Sequence, residues 1–327
     1  MFGKMGPGST IGVFSPSWNV IYEAPEAAAR AEAFIRSQGL RVKRGSLWGK
    51  ADAYRTGTPR ERAEEFNALL RDPTVDILMA SIGGQVTNGT LPYIDYDFFA
   101  ENPKPVVGMS DVTVLLLALY AKTNKPVYYG PNFVTSFARL SPYREIAFNS
   151  LCDVLCFKDS YEYTFPAAYS DALIKWWEPM EAEELQLPNK LITVNGGKAR
   201  GRLIGGNLHS LAYLWGTPYM PSVRPGDILF IEDTEVWAGD LEEDLAKLML
   251  CGAFDEIGGL IIGKCRKYRD GGTGKSFSAF IRDYIGKTDI PILAECDFSH
   301  CAPMLTIPIG LTAELDADAQ TLRLLRA

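Results

Sequence analysis

Through the first 130 residues, short apolar blocks alternate with longer amphipathic ones. Thr10 to Ser15 (TIGVFS) is an apolar run of strand length. Glu23 to Gln38 carries apolar residues at helical spacing and stops at Gly39. Leu40 to Lys43 is strand-like, and Thr58-Pro59 opens a second helical block to Arg71, with proline near its first position. Val75 to Ser81 (VDILMAS) predicts a strand that ends at Ile82-Gly83-Gly84. Pro105 to Gly108 and Pro126 to Tyr129 predict further strands, with a helix from Val112 to Lys122 between them. Strands alternating with helices imply a mostly parallel sheet covered on both faces.

Lys158 to Lys198 breaks this pattern. It is acidic and aromatic, holds Pro166, Pro179 and Pro188, and reads as a connection with a loop that could cover a site. Regularity returns near Gly201. Asp227 to Glu232, Gly259 to Gly263 and Pro291 to Glu295 predict strands, Leu241 to Cys251 and Phe277 to Ile285 helices, and Leu322 to Leu325 a last edge strand. The chain therefore divides into an α/β domain over 1–160, a linker over 161–198 and a second α/β domain over 199–327. A length of 327 residues is in keeping with two cores.

Composition narrows the chemistry. A 47% hydrophobic and 22% charged chain is that of a soluble globular protein, and no apolar run reaches the ~18 residues of a membrane span. The opening MFGKMGPGSTIGVF lacks a long apolar segment with a small-residue cleavage site, so residence in the cytoplasm is expected. A net charge of −7 argues against nucleic acid as partner, and membrane association is not expected either. The six cysteines are expected to be buried free thiols. There are two histidines, His209 and His300, so any histidine-dependent mechanism must use one of them.

Four segments could carry chemistry. In Val107-Gly108-Met109-Ser110-Asp111 a strand ends, a glycine permits a sharp turn and a serine precedes a helix. That geometry lifts a hydroxyl above the sheet edge, although serine also serves as an ordinary N-cap. Ser81-Ile82-Gly83-Gly84 brings backbone N–H groups close to whatever lies beyond the strand, or simply makes a tight turn. Glu232 closes an apolar strand, where a carboxylate could orient a histidine or belong to a solvated loop. His300, in Asp297-Phe298-Ser299-His300, follows a strand and could act as a general base or be structural. Cys296 and Cys301 flank it without a C-x-x-C pair, so no metal is expected. His209 reads as a structural helix residue. Gly271 to Ser276 resembles a phosphate loop, but Arg269 stands where that loop needs glycine.

Together these segments resemble the LD-carboxypeptidase family of serine peptidases, over nearly the whole chain. TIGVFSPS, the Tyr54 to Thr58 block, SIGG, GMSD, GGNL, the strand ending Ile231-Glu232-Asp233 and the late Phe298-Ser299-His300 segment fall in that family's order. The resemblance implies a triad of Ser110, Glu232 and His300, with oxyanion donors from the backbone of Asp111 and of the Gly83-Gly84 turn. It also implies an N-terminal Rossmann-like sheet, a smaller C-terminal α/β domain, the site between them, a homodimer and no cofactor. Ser81 to Gln85, with Asn88 and Leu91 to Tyr96, is similar to the microcin-immunity branch. That branch cleaves the amide joining an acidic aminoacyl group to a nucleotide-like moiety and stacks a linker tryptophan on the base. Trp176 and Trp177 both lie in the matching region. Asn207 is placed near the site, and Lys264 and Arg202 are candidate partners for a substrate carboxylate or phosphate. Two other readings stay open: a murein tetrapeptide carboxypeptidase releasing D-alanine, and a two-domain binding protein without catalysis.

Overall fold

The computed structural model describes residues 5–178, 186–286 and 289–326. A six-stranded sheet runs Ile307–Ile309, Val127–Tyr129, Val106–Gly108, Ile77–Ala80, Thr10–Phe14, Arg41–Arg44 across its width. All its neighbours are parallel except Ile307–Ile309, which returns from the C-terminal part of the chain and pairs antiparallel with Val127–Tyr129. The helix Thr113–Thr123 is buried from its first residue to Tyr120, as a helix apolar on all sides must be. Thr58 caps the helix Pro59–Arg71 in a reciprocal box with Glu61.

The second sheet has eight strands. Its parallel centre is Lys198–Asn207, Ile228–Glu232, Gly259–Gly263 and Ile292–Cys296. Antiparallel strands flank it, Thr312–Asp316 and Thr321–Leu325 on one side and Ile192–Asn195 on the other. The protein is thus a two-domain α/β molecule whose domains exchange short strands.

Several expectations need correction. The helix expected over Glu23 to Gln38 runs Pro25–Ser37, and a separate short helix, Val20–Glu23, precedes it, because Pro25 forces Ala24 out of helical geometry. Thr321–Leu325 is not an edge strand; Ser160–Glu162 pairs outside it. The irregular 158–198 stretch supplies that strand and Ile192–Asn195, both too short to show alternation. Its residues 179–185, which include Pro179 and part of the expected covering loop, lie outside the described residues. Cys156 and Cys251 are exposed rather than buried. The helices Tyr96–Glu101, Phe133–Phe137 and Tyr143–Cys156 were not legible as such. No helix among the described residues is long and apolar enough to cross a membrane.

Candidate active site

Ser110 follows the strand Val106–Gly108 after one residue, Met109, and has φ of +63°, a left-handed conformation that a non-glycine residue seldom adopts. The turn is over-determined. A Cβ on Gly108 would come within 2.7 Å of Val112, so only glycine lets the strand meet the following turn so closely. The Met109 N–H is held by Asn132 Oδ1 at 3.1 Å, and the Ser110 N–H by the Tyr129 hydroxyl at 3.1 Å. Backbone strain held in place by its surroundings is a common property of reactive sites.

Gly83 packs directly against this turn. A Cβ there would lie 3.0 Å from Ser110 Cβ and 3.1 Å from the Asp111 nitrogen. Gly84 has φ of +149° and backs onto Ser17, whose Oγ accepts the N–H groups of Gln85 and Val86. The Asp111 carboxylate accepts both the N–H and the hydroxyl of Thr87, which ties the SIGG turn to the serine turn.

From the other domain comes Glu232, the fully buried last residue of Ile228–Glu232. Its Oε2 accepts the His300 Nδ1–H at 2.7 Å and the His300 N–H at 3.2 Å. Its Oε1 accepts the Tyr129 hydroxyl at 2.6 Å and the Asn207 amide at 3.1 Å. Burial alone would raise this carboxyl, but the His300 charge and the bonds from His300, Tyr129 and Asn207 outweigh it and hold it below its ordinary value. Burial, then the adjacent Glu232, keep the Tyr129 phenol protonated, and so a donor. Asp233 behaves oppositely: burial and Glu232 push its carboxyl up to about 7.

The two domains meet closely here. A Cβ on Gly206 would lie 2.6 Å from Thr113, and the Asn207 N–H donates to Thr113 Oγ1 at 3.0 Å. Gly206 therefore serves the close approach of the lobes, whereas Gly205 packs on the Phe230 backbone of its own sheet. Ser110, His300, Gly83 and Gly84 line one cavity of about 370 Å³, together with Trp176 and Trp177. With Nδ1 engaged by a carboxylate, Nε2 is the imidazole nitrogen left for exchange with a ligand or hydroxyl.

Matches to known proteins agree with this architecture. Residues 11–130 match the LD-carboxypeptidase N-terminal domain and residues 200–315 the LD-carboxypeptidase C-terminal domain. The chain belongs to the LD-carboxypeptidase family of serine peptidases. A Vibrio cholerae protein provisionally named a carboxypeptidase is 40% identical over 319 residues, 97% of this chain and 95% of that one. The microcin C7 self-immunity protein MccF of Escherichia coli is 38% identical over 318 residues, 95% of this chain and 91% of its own. The solved structure of MccF in complex with glutamyl sulfamoyl guanosine superposes with a TM-score of 0.96 at 35% identity, covering 100% of this chain and 98% of that one.

The other expected residues are placed variously. Trp176 is buried, with the Arg139 guanidinium 5.9 Å over its ring, whereas Trp177 is 56% exposed. Asn207 lies at the site, but its Nδ2 is engaged by Glu232 and Asp233 and its Oδ1 caps the helix Leu208–Leu214. Lys264 is not among the residues lining the cavity; it is buried against Asp297, with Nζ to Oδ1 at 2.7 Å. Arg202 is likewise paired, with Asp227. His209 is on a helix, with Nδ1 2.7 Å from Asp244. Sequence reasoning missed Tyr129, Asn132 and Asp233. The available signal for Tyr129 was its place at the C-terminal end of a parallel strand, where α/β sheets build their sites.

Proposed function

We propose that the chain hydrolyses an amide bond through Ser110, Glu232 and His300. The observation that carries this reading is the Glu232–His300 pair at 2.7 Å, opening onto the cavity that also holds the strained Ser110. His300 takes the Ser110 proton as the hydroxyl attacks the carbonyl, and Glu232 fixes the tautomer and offsets the imidazolium charge. The oxyanion forms against the backbone N–H groups of Asp111 and the Gly83-Gly84 turn, each donor lowering the barrier by roughly 3 kcal/mol. His300 then protonates the leaving nitrogen, and water, deprotonated by the same imidazole, releases the acyl group from Ser110.

The substrate class is an aminoacyl-nucleotide of the processed microcin C type. Support comes from the MccF complexes with glutamyl sulfamoyl guanosine and aspartyl sulfamoyl adenosine, and from the exposed indole of Trp177 in the His300 cavity, which offers a face for a base. The reading includes action in the cytoplasm as a homodimer, which rests on the family resemblance. Side-by-side assay of an aminoacyl sulfamoyl adenosine and a murein tetrapeptide tests it. Release of the nucleoside sulfamate is expected, and turnover of the murein peptide alone would overturn the substrate assignment.

A further inference from the structure

Behind the Gly83-Gly84 turn lies a buried cation that the triad does not use. Arg62, in the helix Pro59–Arg71, is 2% exposed. Its guanidinium donates to the carbonyls of Gly57 at 3.0 Å, of Val86 at 2.9 Å and of Pro16. The carboxylates that act on it, Asp111 and Asp52, do so without a hydrogen bond. Burying a charge whose bonded partners are all neutral carbonyls is costly, and an apolar side chain would serve packing alone. A planar fork of five donors is suited to holding carbonyls from three separate segments at once.

Those segments converge on the SIGG turn. Pro16 precedes Ser17, whose Oγ accepts the Gln85 and Val86 N–H groups at 3.0 Å each. The Trp18 N–H donates to the Gly83 carbonyl at 3.1 Å. Because a peptide is planar, that bond also fixes the direction of the Gly84 N–H, one of the expected oxyanion donors. The peptide whose carbonyl Arg62 holds at Val86 carries the Thr87 N–H, which bonds the Asp111 carboxylate at 2.9 Å. One peptide unit thus joins the guanidinium to the residue after Ser110. One turn further along the same helix, Glu65 accepts the Ser15 N–H at 2.6 Å, so the Ser15-Pro16 segment is gripped by both polarities.

We infer that Arg62 is a positioning residue for the reaction: by holding Pro16 and Val86 together it sets the Gly83-Gly84 turn against Ser110. The inference rests on the hydrolase reading for its consequence in turnover.

The test measures kcat and KM for aspartyl sulfamoyl adenosine, and amide hydrogen exchange over residues 83–87. The variants are Arg62→Met, Arg62→Lys, Ser17→Ala and Arg62→Lys/Ser17→Ala, each checked for folding by circular dichroism. Arg62→Met is expected to lose about 10²-fold in kcat with KM within about twofold, as misplaced oxyanion donors require. Arg62→Lys keeps the charge without the fork and is expected to recover about tenfold of that loss. Ser17→Ala is expected to lose about tenfold in kcat, and the double variant less than the product of its two single losses, since both act through one turn. Should Arg62→Met not fold, the lysine and alanine variants carry the test. Unchanged kcat in folded Arg62→Lys and Ser17→Ala, a loss that falls on KM alone, or fully multiplicative losses would overturn the assignment. Hydrogen exchange needs no turnover, so the two readings fail separately. Wild type that hydrolyses nothing, with exchange over 83–87 quickened in Arg62→Lys, would sink the hydrolase reading and keep the grip of Arg62 on the turn. Normal hydrolysis by the folded variants would do the reverse.

Discussion

The Tyr129 hydroxyl donates to Glu232 Oε1 at 2.6 Å and at the same time accepts the Ser110 N–H at 3.1 Å. One buried phenol on the first sheet thus links the serine turn to the acid contributed by the second. Tyr129→Phe removes both bonds while keeping the ring. A hydrogen bond to a charged acceptor contributes about 1.5–3 kcal/mol, so kcat is expected to fall by at least about tenfold with a comparable loss of stability. Steady-state kinetics with urea unfolding checks it; unchanged kcat in the folded variant would show that the link is not needed.

The two adjacent acids have opposite pH signatures. Glu232 has a lowered carboxyl pKa, so its stabilising share is complete above the ordinary carboxylate range and is lost as pH falls through the folded value. Asp233 is raised from 3.8 to about 7, so the folded state holds its proton more tightly and stability declines as pH rises between those values. Asp233→Asn should therefore gain on wild type from acid toward neutral pH and keep a constant margin above it. Urea midpoints at about pH 5 and about pH 8 measure this, and a margin that shrinks with rising pH would contradict the assignment.

Gly83 offers a cleaner separation of activity from folding. A Cβ added to it would lie 3.0 Å from Ser110 Cβ and 3.1 Å from the Asp111 nitrogen. In Gly83→Ala the added methyl enters the space where the oxyanion would form. Loss of about 10²-fold in kcat is expected with only a modest fall in melting temperature, since one oxyanion donor alone carries that much. Full turnover in the folded variant would displace the oxyanion site from this turn.

Trp176 and Trp177 should divide along burial. Trp176→Ala empties a packed position and should cost about 3–5 kcal/mol of stability. Trp177→Ala should leave stability nearly unchanged and raise KM for an aminoacyl-nucleotide by about tenfold, as expected for loss of one base-stacking ring. Denaturation curves and KM values for both variants decide between them.

The parallel strands were legible because the buried ones are short apolar runs, as at Ile77–Ala80, and some close on a glycine, as at Val106–Gly108. The serine turn was legible for the same reason. Tyr129 was not, because a tyrosine ending a buried strand looks the same whether its hydroxyl packs or bridges. The crossing strand Ile307–Ile309 is three residues long with Pro308 in the middle, too little for any period to show. Lys264 reads as a free cation at a strand end. Its partner Asp297 is brought to it only by the neighbouring strand, a contact that local pattern does not encode.

The most direct test is to quench the reaction with an aminoacyl sulfamoyl adenosine and map the acylated residue by peptide mass spectrometry. The acyl group is expected on Ser110 in the wild-type protein quenched during turnover, and is expected to be lost when His300 is replaced, since the same imidazole activates Ser110 for attack. Acylation at another residue, or unimpaired turnover by Ser110→Ala, would contradict the account.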